Sequence, residues 1–167
     1  MKQEDKQRNY ELAEKLLSEQ NFAAAVIVGA VATLLAAASY GIITAIWSFS
    51  YGFAAAGIGI AVGISMQYLG RGIKMKFALA ASAYTIAGCV LGNVFRVVMD
   101  QARVYAISPL DVFRSNEISV LTGLAVSYVS FVDLVFWFVA VFAAAFLARR
   151  PLSRSDRLAI GTYELKG

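Results

Sequence analysis

From Phe22 to Leu69 the chain carries no charged residue, from Phe77 to Phe95 none again, and from Ile118 to Ala148 only Asp133. Apart from Asp133, charged positions are confined to the segments between and outside these runs. Roughly 20 successive apolar residues are what a hydrocarbon slab ~30 Å thick asks of a helix, so the pattern predicts an all-α integral membrane protein. As one helix the first run would extend about 72 Å at 1.5 Å per residue, more than twice the slab, so it must fold back. The stretch WSFSYGF, residues 47–53, is the place for the turn. Trp47 and Tyr51 suit the membrane interface, and the serines and Gly52 permit a tight reversal. The predicted spans are about 22–47, 53–69, 77–98 and 119–147, with Pro151 stopping the last.

Two amphipathic pieces lie outside the spans. In NYELAEKLLSEQNF, Tyr10, Ala13, Leu16 and Leu17 share one helical face, with Glu11, Glu14, Lys15 and Glu19 around the rest. This predicts an N-terminal helix within residues 1–21 that lies on the cytoplasmic membrane surface, docks on a partner helix, or is simply solvated. In SPLDVF, Ser108 reads as an N-cap, Pro109 as the first helical residue and Asp111 as the third, with Leu110 and Phe113 turned to the outer interface.

Lipid is as apolar as leucine, so membrane helices pack through their small residues. At 100° per residue, the face around Asp133 carries Ser119, Thr122, Val126, Ser130, Trp137, Ala140 and Ala144, and the opposite face carries Leu124, Tyr128, Phe131, Val135, Phe138, Phe142 and Phe146. Asp133 is therefore expected to point into the protein and the aromatics into lipid. The first span has a stripe through Ala25, Gly29, Thr33, Ala36 and Tyr40. The second holds a GxxxG pair, Gly59 and Gly63, and the third another, Gly88 and Gly92, beside Cys89, Asn93 and Arg96. Such pairs serve either dimerisation or close packing inside a four-helix bundle, and the latter is the expectation.

Charge supplies the orientation. Twelve of the 15 basic residues fall before residue 21, between residues 70 and 77, or after residue 148, all on one side if there are four spans. The positive-inside rule puts that side in the cytoplasm, which predicts an N-in/C-in bundle over 22–148 followed by a basic cytoplasmic tail, 149–167. Arg71, Lys74, Arg149 and Arg150 are the candidates for lipid headgroups or a partner, although the tail also reads as a solvated one. The opening segment is too long and too mixed in charge for a signal peptide, which favours a retained first span.

Composition removes function classes. A single cysteine excludes an internal disulfide or a multi-thiolate site, and the absence of histidine removes the commonest general base and metal ligand. GIGIAVG has no Walker lysine after it. No enzyme, metal, cofactor or nucleic-acid partner is indicated. The partners that fit are the bilayer and a membrane protein or a second copy of the chain.

The segment YGFAAAGIGIAVGISMQYLGRGIKMKFALAASAYTIAGCVLGNVF, with Asp133 in VDLVFW, resembles a family of small, uncharacterised bacterial four-span membrane proteins. These share a glycine-rich second span ending in GRG, a third ending in GCxLGN and a late-span Asp. The resemblance covers roughly residues 20–148. It implies a four-span bundle in a bacterial inner membrane and carries no biochemical activity with it.

Asp133 remains the sharpest feature, since an ionised Asp at the centre of a membrane helix costs roughly 2.5–3.5 kcal/mol on insertion scales. Placed mid-helix, it would sit about 13 Å below the outer boundary, within reach of Arg96, Asn93 and Tyr40. A buried cluster of those four residues is expected in the outer half of the bundle. It serves either as a peg fixing helix register in a structural, accessory or regulatory membrane component, or as a proton or cation site in a small transporter or channel.

Overall fold

The computed structural model describes residues 3–46 and 52–164, and among these every regular element is a helix. In order they are α1 (Gln3–Ser18), α2 (Phe22–Ile46), α3 (Gly52–Gly70), α4 (Met75–Tyr105), α5 (Pro109–Ser115), α6 (Ile118–Ser127), α7 (Phe131–Leu147) and α8 (Arg154–Glu164). Three, α2, α3 and α4, are each long and apolar enough to cross a membrane, and α6 with α7 makes a fourth if the pair counts as one span. The reversal expected at Trp47 and Tyr51 falls outside the described residues.

The bundle consists of α2, α3, α4 and α7, with α4 touching each of the other three. Its core runs through Ala25, Ile58, Val62, Met66, Phe77, Ala81, Cys89, Ala140 and Ala144. On α2 and α7 the expected faces are the observed ones, whereas on α6 the buried residues are Leu121 and Ala125, and Ser119 and Val126, expected inward, are exposed. Ala25, Thr33 and Tyr40 are buried, and Phe131, Phe138, Phe142 and Phe146 are exposed. The glycines are where neighbours come closest. A Cβ on Gly59 would lie 2.7 Å from the Ala140 carbonyl carbon, and one on Gly63 would lie 2.8 Å from Leu147 Cβ. The second-span GxxxG pair therefore seats α3 on α7 within the chain. Gly29 makes room for Tyr84, Gly88 for Ile58, and Gly92 for the Tyr40 ring.

The third span is longer than expected. Nothing between Arg96 and Tyr105 breaks a helix, and Val97, Val98 and Ala102 give that stretch an apolar face. At 31 residues, α4 measures about 46 Å and ends at Ala106, whose left-handed φ of 53° stops it. Over its C-terminal part fold α5 and α6, whose Val112, Leu121 and Ala125 form a second apolar cluster with Val94, Val97, Val98 and Ala102. As predicted, Ser108 caps α5, accepting the Asp111 backbone N–H at 3.2 Å, with Pro109 at the helix start.

The fourth span is not one helix. α6 and α7 meet at a 102° bend. The cause is local: Ser130 is extended (φ −90°, ψ 165°) and caps a fresh helix with Asp133 as its third residue. A Ser followed three residues later by an acid is the signature of a capping box, and here it overrides a helical periodicity that continues through the break.

The basic tail, which also reads as solvated, holds α8, and α8 lies against α1. Ala13, Leu16 and Ala159 are buried, and Tyr10 donates its hydroxyl to the Thr162 carbonyl at 3.3 Å. The partner helix for α1 lies within its own chain.

Candidate functional site

At one end of the bundle, four polar side chains come from three elements. The small-residue face of α2 places Tyr40 inward, and the matching face of α4 places Asn93, one turn before Arg96. The Tyr40 hydroxyl donates to Asn93 Oδ1 at 3.2 Å, bracing α2 to α4. Both residues are almost fully buried. Tyr40 and Asn93 are thus brought together, with Arg96 one turn further along α4.

Their bonding differs from the expected arrangement. Asp133 sits one turn into α7 rather than mid-span, because α7 starts only at Phe131. Its Oδ2 accepts from the Ser130 backbone N–H at 2.9 Å and from the Ser130 hydroxyl at 2.8 Å, while its own N–H donates to Ser130 Oγ at 3.3 Å. Burial of an acid is thus matched by two local donors on its carboxylate oxygen. Arg96 forms an ion pair with Asp100, one turn along α4, at 3.9 Å. Its guanidinium also lies 5.7 Å from the centre of the Tyr128 ring, at the bend, a cation–π distance. The Asn93 amide nitrogen is buried without a hydrogen-bond partner among the described residues.

At the opposite end, three chain segments are tied together. The Asn21 N–H donates to the Gly70 carbonyl at 2.9 Å and the Arg150 N–H to the Gly72 carbonyl at 2.8 Å. Gln67 Nε2 donates to the Arg149 carbonyl at 3.1 Å. Over them Glu19 accepts from Arg150 Nη1 at 2.8 Å and lies 3.6 Å from Arg71 Nη1. The hydrogen bond from Arg150 holds the Glu19 carboxyl below the usual carboxylate range, and the nearby positive charges of Arg150, Arg71 and Lys15 add to it. Two of the four expected headgroup contacts, Arg71 and Arg150, are thus engaged with Glu19, and Arg149 and Lys74 are exposed. Lys76 lies 4.7 Å from the Phe22 ring centre.

Sequence reasoning missed Ser130, Tyr128 and Glu19 as working residues. Ser130 had a legible signal in its spacing to Asp133. The other two pair across the chain, and no local pattern marks them. No protein-family model matches the chain, nor does any curated protein or solved structure.

Proposed function

We propose that the chain is a multi-pass protein of a bacterial inner membrane, with α1 and α8 in the cytoplasm, that serves as a structural, accessory or regulatory component of a membrane complex rather than as an enzyme. Its membership of the family that its middle segment resembles is part of this reading. The observation that carries it is the Ser130–Asp133 box. The one acid in the last apolar run is engaged in starting a helix, and its neighbours Tyr40 and Asn93 brace α2 to α4. The basic residues that flank the spans at the α1–α8 end support the orientation.

Purification in mild detergent, with stoichiometry measured for whatever membrane protein or second copy accompanies the chain, tests the proposal alongside flux assays in proteoliposomes. A partner at fixed ratio and no Asp133-dependent flux are expected. Proton or cation flux that vanishes in Asp133→Asn would establish the second reading, a small transporter or channel. That reading is favoured by two observations: the Asn93 amide nitrogen, buried without a hydrogen-bond partner among the described residues, and the break between α6 and α7, both of which pack on α4, since discontinuous helices build many transport sites.

A further inference from the structure

The bend between α6 and α7 lacks the usual breakers. Tyr128, Val129 and Ser130 include neither proline nor glycine, the residues behind most sharp kinks. Helical hydrogen bonding runs on to the bend, with the Tyr128 N–H to the Leu124 carbonyl at 3.2 Å and the Val129 N–H to the Val126 carbonyl at 3.1 Å. Tyr128 keeps helical torsions, whereas Ser130 is extended. The bulky face also continues in helical register across the break, from Leu124 through Tyr128 and Phe131 to Val135.

Lengths point the same way. With 17 residues, α7 extends about 26 Å, short of a ~30 Å hydrocarbon core. Joined end to end, Ile118 to Leu147 would extend about 45 Å, close to the length of α4, against which both helices pack. The side chains that this would carry along the normal suit lipid: Ile118, Val120 and Val126 are already exposed.

We propose that the α6–α7 elbow is a hinge that responds to hydrocarbon thickness, with Ser130 and Asp133 as its latch. In a thin bilayer the bent form keeps the capping box and holds Leu121 and Ala125 on α4. In a thick one, returning Ser130 to helical torsions extends the short apolar span and relieves the mismatch. The two forms are a pre-existing pair whose populations the lipid shifts. The hinge rests on the membrane reading, which reconstitution itself checks, and not on the role in a complex.

The test is pulsed dipolar spectroscopy on spin labels at Ser39→Cys and Gly123→Cys in a Cys89→Ala background, in nanodiscs of myristoleoyl, oleoyl or erucoyl phosphatidylcholine. Ser39 is exposed on α2, and a Cβ at Gly123 meets nothing within 4 Å. Gly123 stands on an arm of about 10 Å from Ser130, so opening through 102° moves it roughly 16 Å. The displaced population should rise several-fold from the shortest to the longest lipid, and Ser130→Ala should raise it in each. A single distance common to all three lipids in the parent protein overturns the proposal, even if Ser130→Ala fails to fold. A folded Ser130→Ala whose populations match the parent's removes the latch and overturns it as well.

Discussion

Asp133 and Gly59 show how single residues hold this bundle. The Asp133 carboxylate takes both donors of Ser130, and replacing a capping acceptor costs about 0.5–2 kcal/mol. Asp133→Asn retains an acceptor and should lower thermal stability in detergent only slightly. Asp133→Leu should lose the full amount and shift unfolding to lower temperature. Equal stability of the two variants would show that the box contributes nothing. Gly59 is more demanding, because its missing Cβ faces Ala140 backbone rather than a movable side chain. Gly59→Val forces α3 away from α7, and overpacking of that kind costs about 1–3 kcal/mol. Gly57, where an added Cβ meets nothing within 4 Å, is the control, and Gly57→Ala should leave the unfolding temperature within error of the parent.

Among the elements, α2 and α3 were legible in the sequence nearly to the residue, because an uncharged run in a membrane protein leaves the helix no other conformation that satisfies its backbone. The meeting of Tyr40 with Asn93 was legible for a related reason, since small and polar residues recurring at helical spacing mark the faces that meet. The elbow was not. Periodicity averages over many residues, whereas one serine three positions before an acid decides where a helix begins, and the average ran across it. The pairing of α1 with α8 was hidden differently: each face is legible alone, but nothing local says that residues so far apart along the chain meet. That pairing carries its own prediction. A helix of 16 residues is marginal in water without packing, so truncation after Arg150 should leave the bundle intact and speed amide exchange throughout α1 at least tenfold, read by hydrogen-exchange mass spectrometry. Unchanged protection would mean that α1 is held by something other than α8.

For the molecule as a whole, everything turns on how many times the chain crosses. The α1–α2 junction, the α3–α4 turn and the segment after α7 are joined at one end by backbone hydrogen bonds and by Glu19. Glu19 titrates below its usual range, so the stability that it contributes is present at neutral pH and is lost as pH falls through the depressed value. Unfolding temperature should therefore drop more steeply below about pH 4 in the parent than in Glu19→Gln, which has no carboxylate to protonate. The elbow sits at the other end, with α5 beyond it on the C-terminal part of α4. If α7 completes a fourth crossing, Ser115 on α5 and Ser155 on α8, both exposed, lie on opposite sides of the membrane. In a Cys89→Ala background, Ser115→Cys should react with a membrane-impermeant maleimide on intact cells, and Ser155→Cys only after permeabilisation. If α7 instead dips and returns, Ser115 and Ser155 share a side and the two cysteines label together. That outcome would leave α2, α3 and α4 as the only crossings and withdraw the shared cytoplasmic location of the termini.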